Sequence, residues 1–139
     1  MRQALGEIGV STDGRGLYEV TRELAAWVVD QEIQHGLLTV FIRHTSASLT
    51  IQENADPDVV RDLGDFLDGA APDDPSRYRH TSEGVDDMPA HIRAALTDVS
   101  LTVPVIDGRP ALGTWQGVFV CEHRFRPHRR KLALHLIGE

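Results

Sequence analysis

Seven histidines and a dense set of carboxylates are the side chains of this 139-residue chain best equipped for chemistry. Four of the histidines, His44, His80, His91 and His123, stand where elements are expected to end or loops to begin. Side chains at such junctions are held by rigid neighbours yet reach solvent. Neutral imidazoles bind borderline divalent ions, and three of them leave a coordination position open for reaction. One reading therefore gathers His44, His80 and His91 into a metal site. The other leaves them as unrelated surface and capping residues, because separations of 36 and 11 residues match no local zinc pattern. Glu83, Asp86 and Asp87 lie around His80 and His91, and Glu122 precedes His123, so carboxylates are at hand to orient imidazoles or move protons. His35 is expected in a last helical turn, His128 in a solvated loop and His135 in a packed strand. Ser46 follows His44 by two positions, but no elbow motif or oxyanion-donor pattern marks it as a nucleophile.

A second cluster is basic. Arg124, Arg126, Arg129, Arg130 and Lys131 fall within eight positions of a chain whose formal net charge is −7. Overall acidity argues against nucleic-acid binding, whereas a local basic patch suits a small anion; the plainer reading is a solvated arginine-rich loop. Arginine is the residue suited to bidentate oxyanion contacts.

The elements that must position these groups follow from periodicity. Gln3 to Val10 alternates weakly and ends at Asp13-Gly14, a strand and a turn. Val20, Leu24, Trp27 and Val28 recur at helical spacing within Tyr18 to Gln34, with Gly36 expected as the cap. Leu37 to His44 and Ser48 to Glu53 read as strands. Asp56-Pro57 opens a helix whose apolar stripe is Val59, Val60, Leu63, Phe66 and Leu67. Ala70 to Gly84 reads as a loop, and a short helix begins near Pro89. Asp86 and Asp87 stand just ahead of that helix, where carboxylates favour its positive end. Ser100 to Ile106, Thr114 to Glu122 and Lys131 to Ile137 complete the strands, with a turn at Asp107-Gly108. Paired strands without strict helix alternation predict an α+β fold with a mainly antiparallel sheet. Neither GxGxxG nor GxxxxGK occurs.

Length fits a single domain over residues 1–139. No apolar run approaches the roughly 18 residues a membrane span needs, and the start MRQALGEIGVSTDG lacks a signal-peptide core. With one cysteine, Cys121, no intrachain disulfide forms. These features lead us to expect a cytoplasmic protein that binds neither membrane nor nucleic acid.

Four stretches resemble a known family. They are H-T-S-A-S-L-T-I-Q-E-N-A-D-P-D (44–58), Y-R-H with E-G-V-D-D-M-P-A-H-I (78–80 and 83–92), G-T-W-Q-G (113–117) and C-E-H-R (121–124). In order and spacing they are similar to the YjbQ-like family, also called secondary thiamine-phosphate synthase. The resemblance implies a sheet-rich α+β fold, a homotrimer and a histidine metal site at His44, His80 and His91. The implied activity couples hydroxymethylpyrimidine diphosphate to thiazole phosphate, a phosphorylated small molecule, with release of pyrophosphate. For that chemistry Glu83, Asp87 and Glu122 are the expected catalytic carboxylates. Asn54, Trp115, Gln116, Arg129 and Arg130 are the expected substrate contacts. The cofactor is a divalent ion: zinc or another transition ion at the histidines, with magnesium accompanying diphosphate. Two alternatives stand beside it: a metal-dependent hydrolase of a small phosphorylated or amide metabolite, and a non-catalytic trimeric binding module. Thr81 and the RFRPHRRK stretch (124–131) depart from the usual family pattern.

Overall fold

The computed structural model describes every residue from Met1 to Glu139. Eight strands and three helices follow in the order β1 (Arg2–Asp13), β2 (Gly16–Glu19), α1 (Thr21–Asp30), β3 (Gly36–Ile42), β4 (Ala47–Glu53), α2 (Pro57–Ala70), α3 (Asp87–Leu96), β5 (Ser100–Ile106), β6 (Arg109–Pro110), β7 (Gln116–Glu122) and β8 (Pro127–Gly138). The strands form two antiparallel sheets, β1-β8-β3-β5-β6 and β2-β7-β4. This is the expected α+β class.

Alternation decides which face of each strand is covered. Leu38, Val40 and Ile42 of β3, Leu132, Leu134 and Leu136 of β8, and Val103 and Val105 of β5 point inward from the larger sheet. Leu49, Val118 and Val120 meet them from the smaller sheet, and α1 adds Leu24 and Val28. Aliphatic side chains thus fill a core that contains no fully buried large aromatic. Trp27 reaches β1 over Gly6, where the indole fills the space a Cβ would need.

Several expected boundaries moved. The helix expected over 18–34 is only Thr21–Asp30, because Tyr18 belongs to β2, paired with Val120. Gly36 is not a helix cap but the first residue of β3, pressed against Ile137 and Gly138. The basic stretch is a strand from Pro127 onward rather than a loop, since β8 must span the full length of β1. His35 accordingly lies beyond α1, not in its last turn. In α2, Asp56 caps through Asp58 N at 2.9 Å as expected, yet Phe66 remains 67% exposed, so its apolar stripe is only partly covered. The Asp107-Gly108 turn forms with both residues at positive φ (51° and 74°), the arrangement that favours glycine second. No helix is long and apolar enough to cross a membrane.

Candidate functional site

The first two turns of α3 and the loop before it bring together His80, Asp87 and His91. Asp87 and His91 are four residues apart on one helix, so both side chains share a face. His80 arrives from the loop, and its Nε2 lies 2.6 Å from Asp87 Oδ2; His91 Nε2 is 3.3 Å from the same oxygen. The two imidazoles meet edge to face with centroids 5.5 Å apart. One ligand atom from each of the three residues falls within 4.8 Å of the other two, a spacing that can hold a metal ion. Asp87 is buried, while the His80 and His91 side chains keep 42% and 36% of their surface, so the cluster opens to solvent.

Arg124 sets the orientation of Asp87. Its Nη1 donates to Asp87 Oδ1, its Nε to Asp86 Oδ2 at 3.0 Å, and its Nη2 to the Glu83 carbonyl at 2.9 Å. Oδ1 is thereby occupied and Oδ2 is left for the imidazoles. Burial opposes ionisation of Asp87, but the His80 hydrogen bond and the Arg124 charge outweigh it and hold the carboxyl below its usual range. Asp86 stands just ahead of α3 as expected, while Asp87 is the helix's first residue rather than ahead of it; the Asp86 carboxylate takes Arg124 and the Phe125 amide and makes no cap bond.

His44 lies in another place. Strand β3 ends at Ile42, and the imidazole fills the next pairing position, its Nε2 accepting from Lys131 N at 3.0 Å. Its Nδ1 lies 3.4 Å from Arg130 Nη1. Burial first, then the Arg130 charge, push the His44 pKa down, so the ring is neutral at pH 7. Within the chain, then, Asp87 rather than His44 completes the group with His80 and His91. Asp87, expected as a catalytic carboxylate, takes a ligand's position.

Glu122, expected as a base, is fully enclosed. Thr12 Oγ1 donates to Oε1, Arg130 donates to both oxygens, and the His123 and Arg124 amides donate to Oε2. Burial raises its pKa, but these donors lower it further, so it remains a carboxylate that neutralises Arg130. Arg129 and Arg130 cannot grip one ligand together, because neighbours on a strand point to opposite faces. Arg130 is buried, whereas Arg129 is exposed and donates to Ser11 Oγ at 3.1 Å. Asn54 and Gln116 line a separate groove with Arg109 and Leu112, between α1 and the β6–β7 connection. Asn54 donates to Glu19 there, and Trp115 on that connection is 63% exposed. Glu83 is exposed and touches the cluster only through its carbonyl.

His123 is 2% exposed, with Nε2 2.8 Å from Ser48 Oγ. Burial first, then the charge of Arg93, lower its pKa to about 4. It is a core histidine.

Sequence reasoning missed Arg124 as the partner of Asp87. It also missed the D-x-x-x-H spacing of 87 and 91, which was visible but obscured by placing the helix start at Pro89.

Fold and site define a class: a two-sheet α+β domain with a two-histidine, one-carboxylate cluster at the start of a helix. The family model described as UPF0047 protein YjbQ-like matches residues 6–139, and the chain belongs to this family. It is 54% identical to a UPF0047 protein of Synechocystis, covering 94% of this chain and 88% of that one. It is 41% identical to the UPF0047 protein YjbQ of Escherichia coli O157:H7, covering 94% of each. Among solved structures, a hypothetical protein from Aeropyrum pernix superposes with a TM-score of 0.89 at 28% identity, over 98% of this chain and 99% of that one. A conserved hypothetical protein from Thermus thermophilus gives 0.85 at 35% identity, over 95% and 99%. The thiamine-phosphate synthase activity implied by the resemblance is corrected here. The family and these relatives are described only as UPF0047 or hypothetical proteins, and a similar Sulfolobus solfataricus structure as one of unknown function.

Proposed function

We propose that the protein is a metalloenzyme built around one divalent ion held by His80, Asp87 and His91. The observation that carries this reading is the convergence of two imidazoles and one ionised carboxylate within 4.8 Å. Zinc and its first-row neighbours take such nitrogen and oxygen donors, and three protein donors leave room for solvent and substrate. Magnesium prefers an all-oxygen shell, so this donor set favours a transition ion. When bound, such an ion acts as a Lewis acid on a substrate oxygen. The chain's own residues supply the rest. Arg124 fixes Asp87 so that Oδ2 faces the site, and Asp87 and His91 ride on one rigid helix. Glu83 is the exposed carboxylate left free to accept a proton. Metal analysis of protein purified without added ions, and after chelation and zinc return, tests the site. One ion per chain is expected, lost in Asp87→Ala and in His91→Ala; full occupancy in both variants overturns the assignment. Loaded and chelated protein are then screened against pooled small anionic metabolites. Turnover by the loaded form alone supports an enzyme, and saturable binding without turnover reassigns it as a binding module.

The second reading concerns assembly in the cytoplasm, a setting that suits the buried, unpaired Cys121. The outer face of the larger sheet carries exposed Leu5, Leu37, Ile106 and Ile137, with Leu37 directly beside Ile137 in the ladder. Apolar side chains on an open sheet face favour burial against a second copy, and three copies is the number that the family resemblance implies. Light scattering should give about three times the 15.4 kDa chain mass; a monomer refutes it.

A further inference from the structure

Where β3 runs into β4, an open cleft of about 560 Å³ is lined by Phe41, Ile42, Arg43, His44, Thr45, Ser46, Val99 and Arg130. No carboxylate lines it. Arg130 is 3% exposed, so a buried guanidinium forms part of the wall. Its Nε and Nη2 are committed to Glu122 and Ser46, which leaves Nη1 facing His44 Nδ1 at 3.4 Å.

That pair has an unusual character. His44 Nε2 accepts from the Lys131 amide and therefore carries a lone pair. In a neutral imidazole the proton must then sit on Nδ1. Two N–H donors, His44 Nδ1–H and Arg130 Nη1–H, thus confront each other with no acceptor between them. Ser46 Oγ accepts from Arg130 Nη2 at 3.0 Å, so its own hydrogen is free to donate. Arg43 is exposed and its guanidinium has no partner in the chain. The amides of His44, Thr45 and Ser46 make no hydrogen bond within the chain either. Donors are in excess here, and acceptors are missing.

We propose that this cleft receives the phosphate group of a small organic phosphate. One phosphate oxygen accepts from both His44 Nδ1 and Arg130 Nη1, which removes the donor–donor conflict. The Ser46 hydroxyl and Arg43 serve the remaining oxygens; charge-assisted bonds of this kind are the strong ones. Phe41 and Val99, both 44% exposed, form an apolar rim for the organic portion, which the volume accommodates beyond the phosphate itself. The Glu122 carboxylate behind Arg130 offsets the guanidinium's charge but occupies only Nε and Nη2, so Nη1 stays free to donate, and Arg43 supplies the positive charge that no carboxylate neutralises. The inference stands apart from the metal centre, whose residues do not line this cleft.

The test is a titration of the full, chelator-treated chain with inorganic phosphate, followed by nitrogen NMR of the histidine rings. Saturable binding with a shift of the His44 Nδ1 resonance is expected, tighter than acetate. Arg43→Gln and Ser46→Ala should each weaken it by about fivefold to tenfold, with unchanged melting temperatures. Arg43 is exposed and the Ser46 change removes one hydroxyl, so both variants leave the buried Arg130–Glu122 pair intact. His91→Ala should bind phosphate as well as the parent does. Absence of saturable binding, indifference to both cleft variants, acetate binding as tightly, or loss of binding in His91→Ala would each overturn the proposal. The last outcome would move the anion to the His80–His91 cluster without touching the metal assignment.

Discussion

His123 makes the folded chain sensitive to mild acid, and the size of the effect follows from its surroundings. The ring is 2% exposed, hydrogen-bonded only to Ser48, and its pKa falls from 6.5 to about 4 because burial and the Arg93 charge disfavour the imidazolium. In the unfolded chain the same ring is free to protonate near its ordinary value. Between the two pKa values the unfolded state binds the additional proton, so stability falls as pH drops through this window and is fully present above it. A separation of this size corresponds to about 3 kcal/mol when the window has been crossed, and to about 2 kcal/mol between roughly pH 7.5 and pH 5. Urea unfolding across that range measures it. In His123→Gln, which cannot titrate, the loss between these two pH values should shrink by about 2 kcal/mol relative to the parent. A His123 proton resonance titrating near 6.5 in the folded protein, or equal pH slopes in parent and variant, would refute the reasoning.

Three other perturbations probe the same framework. Glu122→Ala strips Arg130 of its buried counter-charge and should cost about 3–5 kcal/mol in denaturant unfolding; a cost under about 1 kcal/mol would show that solvent reaches the pair. Arg124→Ala frees Asp87 Oδ1 and should weaken zinc affinity roughly 10–100-fold by calorimetry while the ion still binds. Unchanged affinity would mean that Asp87 is oriented by something else. Gly36→Ala would push a methyl group into the Ile137 carbonyl across the β3–β8 ladder, lowering stability by about 1–3 kcal/mol. A neutral melting temperature there would show that the ladder yields.

Much of the architecture was legible along the chain because it depends on neighbours a few residues apart. The β-branched run Leu37 to His44 and the stretch Lys131 to Ile137 mark strands whatever their partners, whereas the turning of Leu38, Val40, Leu132 and Leu134 inward, with Leu37 and Phe41 left exposed, was settled by the sheets. Asp56-Pro57 and Asp107-Gly108 carry their own cap and turn chemistry. The relation of Asp87 to His91 is of the same local kind, four positions on one helical face. What periodicity could not settle was competition between elements. Tyr18 has a helical position in the pattern, but an unpaired edge of β7 claims it for a strand.

The site divides along that line. From the residues alone came the histidines at junctions, the acids beside them and the basic run near the C-terminus. Only the folded chain decided that His44 would replace a missing strand partner for Lys131, that Glu122 would be spent on Arg130, and that Arg129 and Arg130 would part to opposite faces of β8. Local spacing fixes which side of an element a group occupies. Which partner neutralises or accepts it depends on strands and loops that meet across 37 positions, as Arg124 does with Asp87, or across 110, as Thr12 does with Glu122.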